Sequence, residues 1–300
     1  MTTNKKYNFI SGLPRAGSTL LTSILNQNPR FHSDISDPLQ SYLHAIIKET
    51  NTNVGMRAIV GEDRLKDLLK DVVDSYYKDV DKEVIFNTNR GWTTDTKMLN
   101  DLYGDKWKMI VCVREVPWIL DSFERVVRNS PYSPKPLYDH QDLKSVYERT
   151  RALMGENPNV GGRVVGPLMS LSHLISSEDK NRAMYLEYDA LASHPKEVMK
   201  YVYEYLEEPY FEHDFDNVGR TWDEYDTEAK IEGLHTVKQK VEFKPRQSIL
   251  PPDLFQQYAT QSFWRTNPDP MKDLRYVYTY NQEEQKVEEE KPLPTNIAYV

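Results

Sequence analysis

Phe9-Ile10-Ser11-Gly12-Leu13-Pro14-Arg15-Ala16-Gly17-Ser18-Thr19-Leu20-Leu21 is the stretch that decides the fold. Tyr7 to Ser11 reads as a short strand, and Leu20, Leu21, Ile24 and Leu25 give an i, i+4 apolar stripe, hence a helix. Between them lies a loop with two glycines, which admit backbone conformations closed to other residues. Strand, glycine loop and helix N-terminus together form an anion cradle. Successive backbone N–H groups and the open helix end face the ligand. Ser18 and Thr19 add hydroxyl donors.

Strand-like and helix-like segments alternate outward from this loop. Leu65, Leu68, Leu69, Val72, Val73 and Tyr76 follow helical spacing. Val84 to Phe86 and Lys108 to Val113 read as buried strands. Pro117 suits the first residue of a helix running through Val127. Arg182 to Glu187 reads as a strand, and Pro195 opens a helix with Val198, Val202, Tyr205 and Leu206 on its apolar face. The alternation implies an α/β fold, a central parallel sheet flanked by helices. In such sheets ligands bind at the carboxyl ends of the strands.

The loop departs from the Walker A pattern. Gly12 and Gly17 have its spacing, but Ser18 stands where the phosphate-gripping lysine belongs. The cation has moved to Arg15. Further along comes Val111-Cys112-Val113-Arg114, followed by Pro117 and Ser122. Arg114 closes a strand, and Ser122 on the next helix tilts back toward it. An arginine fork with a hydroxyl suits a phosphate monoester. The alternative is a surface pair of Arg114 with Glu115 or Asp121.

The two motifs together resemble the PAPS-dependent sulfotransferase family, whose donor is 3′-phosphoadenosine 5′-phosphosulfate (PAPS). The loop resembles that family's 5′-phosphosulfate turn, with Arg15, Ala16, Gly17, Ser18 and Thr19 as cofactor contacts; Ala16 replaces the usual serine. Arg114 and Ser122 resemble its 3′-phosphate motif. Tyr185 to Leu191 resembles a segment whose tyrosine, here Tyr188, lies near the adenine. From Leu234 to Arg246, the resemblance implies a basic loop folded over the nucleotide, with Lys244 and Arg246 as contacts. It further implies a P-loop-like sulfotransferase fold and sulfuryl transfer from PAPS to a hydroxyl acceptor of unidentified class. A P-loop phosphotransferase using ATP, or a non-catalytic nucleotide-binding relative, stays as the alternative.

Sulfuryl transfer needs a base for the acceptor proton and cations where charge builds. His32 and Asp34, two apart in a candidate strand, share a face, so the carboxylate can orient the ring. A half-buried structural histidine would read the same way. Arg90, at the end of the Phe86–Trp92 segment, could take the part of the family's catalytic lysine, or belong to a structural ion pair. The seven histidines are scattered, so no metal is expected.

Composition bounds the rest. Three hundred residues suit one α/β domain, taken as residues 1–280, with a charged tail at 281–300. The net charge of −8 argues against nucleic acid as partner. No apolar stretch follows Lys5 and Lys6, and no run reaches membrane-spanning length, so the expectation is a soluble, cytoplasmic protein. Assembly, homodimer included, stays open. Cys112, the sole cysteine, reads as a buried hydrophobe, and no internal disulfide is possible.

Overall fold

A computed structural model of the chain describes residues 5–129, 138, 143–220, 223–228, 235–266 and 275–277. The expected tail at 281–300 lies outside them.

Six strands form one sheet in the order β2-β3-β1-β4-β5-β6. They are β1 (Lys6–Gly12), β2 (Phe31–Ser33), β3 (Val84–Thr88), β4 (Met109–Val113), β5 (Ala183–Glu187) and β6 (Arg275–Val277). Every pairing is parallel. β3, β4 and β5 are buried along their whole length. That is why they read as apolar runs without alternation: both faces are covered. Cys112 sits inside β4, and burial pushes its thiol up to about 12, so it packs as a hydrophobe.

The helices supply the cover. They include α1 (Ser18–Leu25), α2 (Leu39–Thr52), α3 (Val54–Val60), α4 (Glu62–Tyr76), α5 (Thr96–Tyr103), α6 (Val116–Asn129), α7 (Val146–Leu153), α8 (Val165–Ser176), α9 (Tyr188–Ser193) and α10 (Pro195–Leu206). Three shorter ones follow: α11 (Asp223–Glu228), α12 (Pro252–Ala259) and α13 (Phe263–Thr266). Of the apolar stripe expected on α4, Leu69 and Val73 are buried while Leu68 and Tyr76 are exposed. The stripe therefore turns one row of side chains inward and leaves the next to water.

The strand order creates a switch point. From β1 the chain leaves by α1 toward β2 on one side; from β4 it leaves by α6 toward β5 on the other. β1 and β4 are neighbours, so their departing loops diverge and leave a crevice at their carboxyl ends. The register says what lines it. Gly12 lies beside Cys112, and Val113 beside Glu187, so Arg114 and Tyr188 emerge at the same edge. Thr88 lies beside Ile10, which carries Arg90 to the level of Gly12. Both sequence motifs and Arg90 thus meet on one edge of one sheet.

Candidate active site

The loop after β1 is shaped by its glycines. Gly12 has φ 111°, and a Cβ there would lie 2.2 Å from the carbonyl oxygen of Cys112. Only glycine lets β1 end this close to β4. Gly17, at φ 92°, precedes α1, and a Cβ on it would meet Cδ2 of Tyr188 at 2.8 Å. No side chain caps α1, and its first turn carries no acidic residue. Its leading N–H groups are left for an anion. Ser18 and Thr19 stand half-buried in that turn, and Ala16 is buried beneath the loop.

Arg15, itself at φ 58°, joins the two motifs. Its Nε donates to Ser122 Oγ on α6 at 3.0 Å. Arg114 Nη1 donates back to the Arg15 carbonyl at 3.3 Å. The Arg114 guanidinium lies 4.1 Å from the centre of the Tyr188 ring, within cation–π range. Its Nε is buried and has no hydrogen-bond partner among the described residues. Ser122 therefore meets Arg15 directly, where the sequence led us to expect it beside Arg114. The surface pairing of Arg114 with Asp121 is not formed: Asp121 is fully buried and holds Arg125 and Arg246.

Three guanidiniums crowd the crevice. Burial, with the charges of Arg114 and Arg90 nearby, lowers the Arg15 pKa to about 10. It remains charged at neutral pH, in a field of like charge that costs free energy unless an anion enters. Arg90 opens a single 3₁₀ turn, Arg90–Thr94, whose start is capped by the Asn89 side chain. Ser11 Oγ donates to the Arg90 carbonyl at 2.9 Å, tying that turn to the end of β1.

A sulfotransferase family model matches residues 9–212, from the cradle through the end of the sheet's fifth strand and beyond α10. The chain belongs to the sulfotransferase family.

A solved sulfotransferase from Alicyclobacillus acidocaldarius is similar at 13% identity and TM-score 0.51, over 90% of this chain and 95% of that one. That likeness bears on the fold alone. Weaker likenesses are to sulfotransferase STF9 from Mycobacterium avium (14%, TM-score 0.46, 92% and 79% covered) and a sulfotransferase domain of the curacin biosynthetic pathway (15%, 0.45, 95% and 96%). No curated protein matches.

In this sulfotransferase, a strap from Arg246 to Leu250 is pinned along α6. Arg246 Nη2 meets Asp121 Oδ2 at 2.6 Å, and Ile249 N donates to Asp121 Oδ1 at 2.8 Å. Arg125 Nη2 donates to the Gln247 carbonyl at 2.7 Å. Arg246 stands over Trp118 and within electrostatic reach of Arg114 and Tyr188, so it borders the crevice. Lys244 is exposed and pairs with Glu242. Tyr188, expected near an adenine, has its ring under the Arg114 guanidinium and close against Gly17.

His32 and Asp34 do meet, Nε2 to Oδ2 at 3.5 Å. They do so far from the cradle. His32 is level with Ile85, which is level with Tyr7, five residues before Gly12 on β1. At about 3.3 Å per residue that is roughly 16 Å along the strand, with two strand spacings added across the sheet. The largest charges acting on His32 are those of Asp34, Asp37, Arg220 and Lys82 rather than the crevice arginines.

Sequence reading passed over a second histidine. His235 Nδ1 lies 2.6 Å from Asp226 Oδ1, and the His235 amide donates to Oδ2 at 2.9 Å. Both are buried, and both are in electrostatic contact with the crevice: Asp226 acts on Arg15, and Arg15 and Arg90 act on His235. His235 heads the basic Leu234–Arg246 stretch, where lysines and arginines drew attention from it. Among the described residues no group of three or more His, Cys, Asp or Glu side chains could hold a metal ion, and no helix is long and apolar enough to cross a membrane.

Proposed function

We propose that this member of the sulfotransferase family takes PAPS as sulfuryl donor and transfers the group to a hydroxyl acceptor. The observation that carries the reading is the join between the two motifs: Arg15, from the β1 loop, donates to Ser122 on α6 and accepts from Arg114 at its carbonyl. One crevice thus offers two anion positions at once, and PAPS is a nucleotide with phosphate at both the 5′ and 3′ positions. The donor set fits. Arg114 has a buried Nε without a partner among the described residues, and buried polar groups ordinarily find partners. The φ values of Gly12 and Gly17 make a cradle that any Cβ would fill.

When bound, PAPS supplies the activated sulfuryl group; the residues hold it. The loop amides, the α1 N-terminus and Arg15 would grip the 5′-phosphosulfate. Arg114, Ser122 and Arg246 would surround the 3′-phosphate, and Arg90 would stand where charge builds on the sulfonate. Ser18 in place of a Walker lysine disfavours an ATP-dependent phosphotransferase.

Calorimetry with the product nucleotide, 3′-phosphoadenosine 5′-phosphate (PAP), tests the donor. PAP should bind far more tightly than ADP or AMP with EDTA present, and at 100 Kd raise stability by about 2.7 kcal/mol. Arg114→Ala should weaken PAP by about 1.5–3 kcal/mol, the worth of a charge-assisted contact, yet barely affect adenosine 5′-phosphosulfate, which lacks the 3′-phosphate. Equal binding of ADP and PAP would overturn the reading.

A further inference from the structure

The crevice as described so far contains cations and hydroxyls but no base. Transfer to a hydroxyl needs one, because a neutral alcohol is a poor nucleophile and its proton must leave as the new bond forms. The sequence pointed to His32, which stands on the wrong part of β2. The other ring within reach of the arginines is His235.

Three features distinguish His235. Its Nδ1 is 2.6 Å from Asp226 Oδ1, while the other oxygen of the same carboxylate accepts the His235 amide at 2.9 Å, so ring and backbone are held by one group. With Nδ1–H donating to the carboxylate, Nε2 is the basic nitrogen. This is the orienting arrangement that fixes a catalytic tautomer. Next, both partners are nearly enclosed, at 6% and 3% exposure, which a surface ion pair would not be. Last, the segment that carries the ring is itself anchored. The anchor lies on the body of the fold at the far end of α1 from the cradle: Val237 pairs with Arg220 in an antiparallel bridge, Val218 N donates to the Gln239 carbonyl at 2.8 Å, and Gln27 of the α1–β2 turn holds Asp214. Among the charged groups acting on the ring are Asp226 from α11, Arg15 from the β1 loop and Arg90 from the turn after β3.

We infer that His235 is the general base of the reaction and that Asp226 positions it. This rests on the donor reading above. In the step, the acceptor O–H proton passes to His235 Nε2 while the acceptor oxygen bonds to sulfur. The sulfur–oxygen bond to the 5′-phosphate breaks, and its electron pair leaves on PAP. The products are a sulfate ester, PAP and one proton, which the imidazolium returns to solvent. The positive charges of Arg15 and Arg90 act against protonation of the ring and favour its neutral form until an anionic sulfuryl group arrives. Burial acts in the same direction, and Asp226 opposes both.

The pH dependence follows with a definite sign. The base works deprotonated, so turnover falls as pH drops through the His235 pKa, which burial and the two arginines hold below the ordinary 6.5. The acid limb of kcat should therefore lie below 6.5. Asp226→Asn removes the group that raises this pKa, so the limb should move to still lower pH while kcat falls.

The experiment uses the full chain with [35S]PAPS and a panel of a tyrosine peptide, an oligosaccharide, a glycolipid, 2-naphthol and a whole-cell extract, counting labelled product. His235→Gln should keep PAP affinity within about twofold and lower kcat by roughly 10²–10⁴. Added imidazole should restore part of the turnover of His235→Ala, a gain that a merely structural histidine would not show. Wild-type turnover in His235→Gln, or loss of PAP binding in parallel with turnover, overturns the base assignment. A wild type that labels nothing in the panel overturns the donor reading beneath it, a distinct outcome.

Discussion

Arg15→Ala should lower kcat by roughly 10²–10³, the usual effect of removing one donor from a site of developing negative charge. Three observations lead there. Arg15 sits in the cradle, it is bonded to Ser122 across the crevice, and its charge is held close to Arg114 and Arg90. The same variant should weaken PAP by about 1.5–3 kcal/mol. Its effect on the ligand-free protein should run the other way. Removing one of three repelling, partly desolvated guanidiniums should leave the melting temperature unchanged or raise it. A variant that melts several degrees lower without ligand would show Arg15 to be a structural bridge between the β1 loop and α6. Arg15→Lys keeps the charge but loses the planar donor at Ser122, and should fall between wild type and alanine.

The second large effect is expected at Asp121. This carboxylate has no exposed surface, yet it satisfies Arg125, Arg246 and the amide of Ile249. Breaking a buried ion pair from one side costs about 3–5 kcal/mol. Here both arginines are about a third exposed and can turn to water. We therefore expect Asp121→Ala to cost about 2–3 kcal/mol, lowering the melting temperature by roughly 5 °C or more. It should also release the strap and Arg246, so PAP affinity should drop more than adenosine 5′-phosphosulfate affinity. Glu124→Ala is the control. Glu124 is also buried on the same helix and bonded to Arg149 and Arg128; Arg128 makes one long contact to the strap, 3.4 Å to the Ile249 carbonyl, but Arg246 stays held by Asp121. It should lose stability without that selectivity. If Asp121→Ala destabilises but leaves the two nucleotides affected alike, the strap does not cover the 3′-phosphate.

Much of the fold was legible because its central strands are simple. Residues 84–86, 109–113 and 183–186 are short apolar runs, and the glycine pair after β1 fixes where a phosphate-type loop must lie. α2 and α3 were not read. Only Leu39, Leu43 and Thr50 of α2 are buried, and no residue of α3 is, so neither carries a strong periodic stripe. Within the site, Arg114 and Ser122 were readable because strand end and helix tilt fix their direction. That Ser122 would bond to Arg15 across 107 residues was not, since the link depends on tertiary packing.

The base shows the limit most sharply. His32 and Asp34 presented a local pattern, two residues apart on a strand, and they do form a contact. Their distance from the cradle depends on β2 being an edge strand paired only as far as Ser33, which no local pattern reveals. His235 and Asp226 are nine residues apart with no shared period. What marks them is burial beside two arginines, a property of the folded chain alone.

The central claim, sulfuryl transfer from PAPS to a hydroxyl, is tested most directly by incubating the purified protein with [35S]PAPS and the acceptor panel with whole-cell extract. The account predicts a labelled product stable to EDTA and formed together with stoichiometric PAP. It also predicts that product formation collapses in Arg15→Ala. Tight PAP binding with no label transferred to any component, or label transfer that survives Arg15→Ala undiminished, would contradict it.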